Sequence, residues 1–215
     1  PYDGVLPPLC FMSGTTIATL GGKAVVDDLK SGDLVLTKGA GAQPVSWVSS
    51  SLHAWPGSDE NHKPILIQQG ALGADLPTSD LAVSPQHHIV MKGPLCAQMF
   101  GVDEVLAPAK GLTGLAGVRV MAGKKEAEYF HLMMPQHEIL IAHGVETESF
   151  YPGPTSLQML SVGQRASLLA VVPTLRDDPE GGYGPTARKK ITRRQAEQLV
   201  EAMKNAAKST EAVAG

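Results

Sequence analysis

The sequence of 215 residues contains few aromatic residues, few cysteines and no long apolar run. Aromatic residues make up 5% of it, and its two cysteines, Cys10 and Cys96, are too few for a disulfide framework. The formal net charge of -3 argues against general nucleic-acid binding, which normally requires a basic surface. Because no run of about 18 apolar residues exists, we expect no transmembrane segment. The remaining composition is typical of a globular protein.

Glycine and proline are plentiful instead, with 23 and 16 residues. Many of them stand between short apolar segments, as in Gly21-Gly22 and Ser31-Gly32-Asp33, which are typical of turns. This pattern predicts an all-β domain of many short strands through about residue 153, with a polar loop over residues 49–63. The predicted strands cover residues 16–19, 24–26, 34–37, 45–48, 64–67, 81–83, 88–91, 118–121, 127–132 and 138–142.

The sequence after residue 153 predicts a C-terminal helical extension over residues 154–215. Residues 155–172 favour a short helix, and residues 191–208 give the strongest helix signal in the chain. Thr192 and Gln195 have the spacing of a capping box at the start of this second helix. Its apolar stripe consists of Leu199, Val200, Met203 and Ala207. We expect this stripe to pack against the β domain and the basic residues of the helix to face solvent.

Cys10 begins the segment with the clearest chemical content. It is followed by Gly14-Thr15, a strand, a Gly-Gly turn and the run from Asp28 to Val35, which reads D-L-x-x-G-D-x-V. This order covers about 27 residues and resembles the opening block of Hint (Hedgehog/intein) domains. The resemblance implies that Cys10 is a nucleophile toward the Leu9–Cys10 peptide bond. Residues 1–9 would then be the leader, the end of an upstream polypeptide segment.

Ser84-Pro85-Gln86-His87 resembles the T-x-x-H motif of Hint domains, with serine in the place of threonine. A histidine near its ordinary pKa can protonate the amide nitrogen that leaves, and the hydroxyl of Ser84 can hold the amide or an oxyanion. A role for His87 as a hydrogen-bonded histidine at a strand end also stays open. His88 must point to the opposite face of a strand, so we expect it to be exposed or structural.

His131 lies in a third segment, Tyr129-Phe130-His131-Leu132, which is followed by Ala142-His143-Gly144. This order resembles the penultimate block of inteins, in which an acidic residue often precedes the leucine. The resemblance suggests that His131 acts as a base toward the Cys10 thiol or positions it. Support of the fold through a backbone hydrogen bond is an equally open role.

The end of the predicted β domain departs from the intein pattern. Inteins carry His-Asn there, and the asparagine cyclises to release the intein, whereas this chain has Glu148-Ser149 and continues. The resemblance therefore implies cleavage or transfer without full splicing. Residues 148–154 and 183–188 also resemble the bacterial group called Hint type 2, which extends the similarity to about residues 9–190.

The resemblance implies a Hint β-fold, with a leader over residues 1–9, an autoprocessing domain over residues 10–153 and the extension over residues 154–215. Its activity would be an N-to-S acyl shift at Leu9–Cys10, which gives a thioester that water or an external nucleophile resolves. The partner is then the chain's own upstream segment, and no cofactor is expected. No metal is expected either, because the histidines lack the spacing of zinc ligands. The resemblance suggests a secreted or cell-surface bacterial protein, although the sequence leaves the compartment open.

Two other functions stay open at this point. The chain could be a Hint-fold module that no longer processes itself and serves as a structural or interaction domain. It could also be a cysteine hydrolase that acts in trans through Cys10 and His87. Cys10 follows a proline-rich leader, however, and does not stand at a helix N-terminus that would lower its pKa.

Overall fold

The computed structural model describes residues 9–55 and 60–214. Residues 1–8 of the predicted leader, and residues 56–59 of the predicted loop, lie outside the described part. The strands are β1 (Phe11–Met12), β2 (Thr16–Thr19), β3 (Gly22–Val25), β4 (Leu34–Thr37), β5 (Gly41–Pro44), β6 (Trp47–Ala54), β7 (Ile65–Ile67), β8 (Leu81–Val83), β9 (His88–Lys92), β10 (Glu104–Pro108), β11 (Val118–Val120), β12 (Glu126–Met133), β13 (Ile139–Ala142), β14 (Val145–Glu148) and β15 (Lys189–Lys190). The α-helices are α1 (Pro94–Phe100), α2 (Pro154–Met159), α3 (Val162–Val171) and α4 (Arg193–Ala214).

The strands form two sheets. The six-stranded sheet has the order β11-β7-β8-β1-β12-β6. The nine-stranded sheet has the order β15-β10-β9-β14-β13-β2-β4-β5, and β3 pairs with β2 beside this path. The prediction of an all-β fold of many short strands, followed by a helical extension, is confirmed. Within the described residues, no helix combines the length and the apolar character that crossing a membrane requires.

The short strand β1 determines where the start of the domain lies. Phe11 pairs with Val83 of β8 on one side and with Phe130 of β12 on the other. Because β1 is held between these two strands, Cys10, which precedes Phe11, lies next to two other residues. They are Ser84, just after β8, and His131 on β12. Three segments that are distant in the sequence therefore meet at one point of the six-stranded sheet.

The predicted loop over residues 49–63 is wrong in its first part, where β6 continues to Ala54. This strand pairs with β12 over its whole length, from Trp47 opposite Met133 to Ala54 opposite Glu126. The serines at 49–51 suggested a loop, but β6 is at the edge of its sheet and alternates between half-buried and exposed residues. Short polar side chains are tolerated on such an edge strand, because one of its faces remains in water.

The predicted single helix over residues 155–172 is two helices, α2 and α3. The chain is extended at Leu160, with φ −75° and ψ 145°. Ser161 then caps α3: its hydroxyl accepts from the Gln164 amide at 3.2 Å, and its own amide donates to the Gln164 side chain at 3.0 Å. This capping box begins a new helix, so α3 is separate from α2.

The helix predicted at 191–208 is α4, which begins at Arg193. Its capping box is present, since the Gln195 amide donates to the Thr192 hydroxyl at 3.2 Å. The buried residues Leu199 and Val200 join the main apolar core with the β domain, and Met203 packs against it, as the sequence predicted. Ala207, the last residue of the predicted stripe, is exposed. The strands β1, β5, β10, β14 and β15, and the helix α1, were not predicted.

A second apolar cluster lies apart from the main core and is called the Leu9 cluster below. It combines the start of the domain with residues of β6 and β12, with Phe150 just after β14, and with residues of the extension. Its buried members are Leu9, Trp47, Met133, Phe150, Leu157, Leu160, Leu168, Leu175 and Tyr183.

Candidate active site

The Cys10 side chain is fully buried and lies against His131. Its Sγ is 3.4 Å from Nδ1 of His131 and 3.8 Å from Nε2. The same Nδ1 is 3.1 Å from the carbonyl oxygen of Leu9. One imidazole therefore contacts both the thiol and the carbonyl group that precedes it.

Ser84 contacts the other side of the same peptide bond. The Cys10 amide donates to Oγ of Ser84 at 3.1 Å, and the Ser84 amide donates to the carbonyl oxygen of Cys10 at 3.0 Å. The two backbones are thus fixed relative to each other, and the Ser84 hydroxyl is held at the amide nitrogen. The thiol, the carbonyl oxygen and the nitrogen around the Leu9–Cys10 bond each have a buried polar side chain within hydrogen-bond distance.

Burial keeps the thiol and the imidazole neutral. It raises the pKa of the Cys10 thiol well above the ordinary value, and a hydrogen bond from Ser84 offsets part of this increase. Burial also lowers the pKa of His131 to about 4, against the opposing effect of its hydrogen bond to Leu9. A carbonyl oxygen can only accept a hydrogen bond, so the bond to Leu9 requires the proton of the neutral imidazole to be on Nδ1. The lone pair is then on Nε2.

Aromatic side chains fix the position of His131. Its ring is stacked on Trp47, with centroids 6.1 Å apart and planes inclined by 20°, and it meets the edge of Phe150 at 5.1 Å. The indole nitrogen of Trp47 donates to the hydroxyl of Ser167 in α3 at 3.0 Å. The extension therefore helps to hold the residue on which His131 is stacked, a connection that the sequence did not suggest.

His87 is buried beyond Ser84, with its ring 4.5 Å from the ring of Phe11. Its Nε2 is 2.5 Å from Oγ1 of Thr147, and that hydroxyl donates its proton to the carbonyl of His88 at 2.9 Å. Oγ1 must therefore accept from His87, which places the proton of the neutral ring on Nε2. The other nitrogen, Nδ1, is buried without a hydrogen-bond partner among the described residues.

The expectation of an ordinary pKa for His87 is wrong. Burial lowers this pKa to about 3, although the charge of Glu148 acts in the opposite direction. At neutral pH the ring is therefore neutral, with its proton directed at Thr147. His87 thus begins the reaction as a potential acceptor at Nδ1, and not as a charged acid.

The contacts of His88 indicate a structural role, which is one of the two roles that the sequence predicted. It forms an ion pair with the fully buried carboxylate of Glu148, which also lies 3.3 Å from His137 and 2.9 Å from the amine of Lys190. Burial alone would raise the pKa of Glu148, but His88 and Lys190 hold it well below its usual value. This ion-pair cluster joins β14, β9 and the extension at β15.

The structure brings four of the predicted site residues into direct contact, namely Leu9, Cys10, Ser84 and His131. It places His87 beside them, with its hydrogen bond directed at Thr147. Thr147 was not predicted, because β14 was not recognised as a strand. Cys96 is a buried free thiol in α1. Within the described part of the chain, no three His, Cys, Asp or Glu residues are grouped as a metal ion would require.

Comparisons with known proteins give one family and several similar structures. A protein-family model described as a Hint domain matches residues 9–154. Among solved structures, the chain is similar to a bacterial intein-like domain from Clostridium thermocellum, with 13% identity, a TM-score of 0.47, and 66% of this chain and 99% of that one covered. It is also similar to the gp41-1 intein, with 13% identity, a TM-score of 0.40, and 64% and 96% of the two chains covered. The search among curated proteins gave no significant match.

Proposed function

Because the chain belongs to the Hint domain family, we propose that it processes its own backbone at Leu9–Cys10 by an N-to-S acyl shift. One observation supports this site above all. His131 contacts both the thiol of Cys10 and the carbonyl oxygen of Leu9, while Ser84 contacts the nitrogen between them. These are the three atoms at which an acyl shift moves electrons and protons.

In the first step, Sγ of Cys10 attacks the carbonyl carbon of Leu9. Nε2 of His131 accepts the thiol proton, the new S–C bond forms, and the π electrons of the carbonyl move to its oxygen. The N–H group at Nδ1 of His131 keeps its proton and donates a hydrogen bond to that oxygen, so the oxyanion forms beside an imidazolium ion that stabilises it. A neutral imidazole with these two distinct nitrogens can serve both purposes at neutral pH, which is why its low pKa is useful.

In the second step, the carbonyl re-forms and the C–N bond breaks, so the departing nitrogen needs a proton. The hydroxyl of Ser84 is 3.1 Å from this nitrogen and can donate its proton to it. The proton that Nε2 of His131 took from the thiol then replaces the one lost by Ser84, so both side chains return to their neutral forms. The products are a thioester between Leu9 and Sγ and a free amine at Cys10. His87 is the second candidate donor, but it must first gain a proton at Nδ1.

The thioester is resolved by a second nucleophile. Water releases the upstream segment with a carboxylate at Leu9, and an external amine, thiol or alcohol becomes joined to Leu9; both routes restore the Cys10 thiol. Splicing would also need an asparagine that attacks its own backbone carbonyl. Glu148 and Ser149 stand at the corresponding positions, and the Glu148 carboxylate is occupied by its ion pairs. We therefore propose cleavage or transfer at Leu9–Cys10, without ligation of the two flanking segments.

The hydrolase alternative is disfavoured by burial. Cys10 has no exposed surface, and Leu9 is 8% exposed, so a substrate from another molecule could not reach the thiol without displacing Leu9. The peptide bond that already occupies the site is the better substrate. A Hint-fold module without processing activity would have the same fold and the same contacts, so only an experiment can distinguish it from an active domain.

The test is the intact mass of a precursor that carries a long fusion before Pro1, measured with and without dithiothreitol. We expect one new N-terminus at Cys10 and an unchanged C-terminus, with residues 150–215 still attached. A product in which Leu9 is joined to residues beyond Ser149 contradicts the absence of splicing. A precursor that remains whole at all thiol concentrations contradicts the processing activity and favours the inactive module.

Variants of Ser84 identify the donor to the departing nitrogen. We expect Ser84→Ala to slow cleavage by roughly a hundredfold, the lower end for general acid–base catalysis, and Ser84→Thr to restore most of the rate because it keeps the hydroxyl. The measurement is the rate of thiol-induced cleavage by mass spectrometry, with His87→Ala in parallel. If His87→Ala causes the large loss and Ser84→Ala does not, then His87 is the donor.

A further inference from the structure

The residue before the scissile bond has its own apolar environment. Leu9 is 8% exposed and belongs to the Leu9 cluster. The cluster's members from the extension all lie beyond residue 154, where the family match ends. They are Leu157, Leu160, Leu168, Leu175 and Tyr183. The extension therefore adds to the site a surface that the matched part of the chain does not contain.

Hydrogen bonds anchor this part of the extension to the β domain. Trp47 of β6 donates to Ser167 of α3 at 3.0 Å. The hydroxyl of Tyr183 donates to the backbone carbonyl of Met134, just after β12, at 2.7 Å. The residues between these two points are thus held against β6 and β12, the strands that also carry Trp47 and His131. Their buried apolar side chains belong to the same cluster as Leu9.

We propose that the extension forms a binding pocket for the side chain immediately before the scissile bond, which makes the domain selective for an upstream segment that ends in an aliphatic residue. This inference rests on the proposed acyl shift. The members of the Leu9 cluster carry no charge, so a lysine or aspartate at position 9 would be buried without a partner. A charged side chain at position 9 would leave the pocket. The backbone carbonyl group of residue 9 would then move away from His131. The upstream partner is therefore recognised by the chemistry of its last side chain.

The first test compares substitutions of Leu9 in the precursor. Because losing the burial of one leucine side chain corresponds to about tenfold to a hundredfold, we expect Leu9→Lys and Leu9→Asp to slow thiol-induced cleavage by that factor. Leu9→Met conserves volume and should retain most of the rate. Leu20 is 65% exposed, so Leu20→Lys is the matched control and should cleave like the unmodified precursor. Equal rates for Leu9→Lys and Leu9→Met would overturn the pocket.

The second test assigns the selectivity to the extension. Leu168 of α3 and Leu199 of α4 are both buried leucines of the extension, but Leu199 belongs to the main core. We expect Leu168→Ala to reduce the ratio of the Leu9→Met rate to the Leu9→Lys rate, and Leu199→Ala to leave that ratio unchanged. Thermal unfolding of both variants shows whether they fold. An unchanged ratio in a folded Leu168→Ala variant, or an equal change in both, would overturn the role of the extension.

The melting temperature distinguishes failure of the proposed pocket from failure of the proposed acyl shift. If the unmodified precursor does not cleave, the proposed function fails, but the melting temperature still reports whether Leu9 is bound. In that case we expect Leu9→Lys to lower the melting temperature more than Leu20→Lys does. Equal melting temperatures for these two variants would show that the pocket does not hold Leu9.

Discussion

Replacement of Cys10 by alanine is expected to abolish cleavage at the Leu9–Cys10 bond. The acyl shift moves the Leu9 acyl group from a nitrogen to a sulfur of the same residue, and alanine has no atom that can accept it. Binding of Leu9 and the contacts of Ser84 with the backbone do not depend on the thiol, so the precursor should fold and remain whole. Intact mass after thiol treatment, at a time when the unmodified precursor is fully processed, measures this effect.

Cys96 provides the matched control for this experiment. It is the other cysteine of the chain, it is also buried, and it lies in α1 within the main core. Cys96→Ala should cleave like the unmodified precursor, because its thiol is not part of the site. Cleavage that persists undiminished in Cys10→Ala would remove the nucleophile on which the proposed function depends.

The catalytic residues could be located from sequence only through the family resemblance. Cys10 is separated by 74 residues from Ser84 and by 121 from His131, so no local spacing connects them. They meet because β1, a strand of two residues, lies between β8 and β12. So short a strand has no periodicity of its own. The motifs therefore indicate the residues of the site, and the sheet topology explains why they meet.

The properties of His87 could not be read from its motif. Its pKa and its tautomer depend on burial and on Thr147, a residue of β14. The sequence of β14 reads Val-Glu-Thr-Glu, which suggests an exposed turn more than a buried strand. Glu148 is nevertheless fully buried, because His88 and Lys190 neutralise its charge. A prediction of burial from residue polarity fails where ion pairs allow charged residues to be buried.

The role of the extension was hidden for a different reason. Its leucines predicted helices with an apolar side, and the fold agrees. The spacing of the leucines does not determine what the apolar face of a helix contacts, since that face can pack against any apolar surface of the right shape. Only the tertiary structure shows that Leu168 and its neighbours share a cluster with Leu9, whereas Leu199 does not.

Replacement of His131 by alanine is expected to slow cleavage by about a thousandfold, within the range typical of general acid–base catalysis. The loss is large because one ring has two roles, as proton acceptor for Cys10 and as hydrogen-bond donor to Leu9. The rate of thiol-induced cleavage measures it. His137→Ala is the matched control, because it also removes a buried imidazole but one that pairs with Glu148. Its precursor should cleave at nearly the unmodified rate if it folds, which thermal unfolding checks.

The pH dependence shows whether His131 acts as a base or only supports the fold. With a pKa of about 4, the imidazole is already unprotonated across the neutral range. Since the thiol stays protonated there, the rate of the unmodified precursor, measured at a dithiothreitol concentration at which the acyl shift limits cleavage, should change little between about pH 5 and 8 and should fall as the pH decreases through about 4. Without the base, thiolate must form by loss of its proton to water, so the His131→Ala rate should rise about tenfold per pH unit. A slow variant whose rate stays flat across the same range would limit His131 to a structural role and leave the thiol without its proposed base.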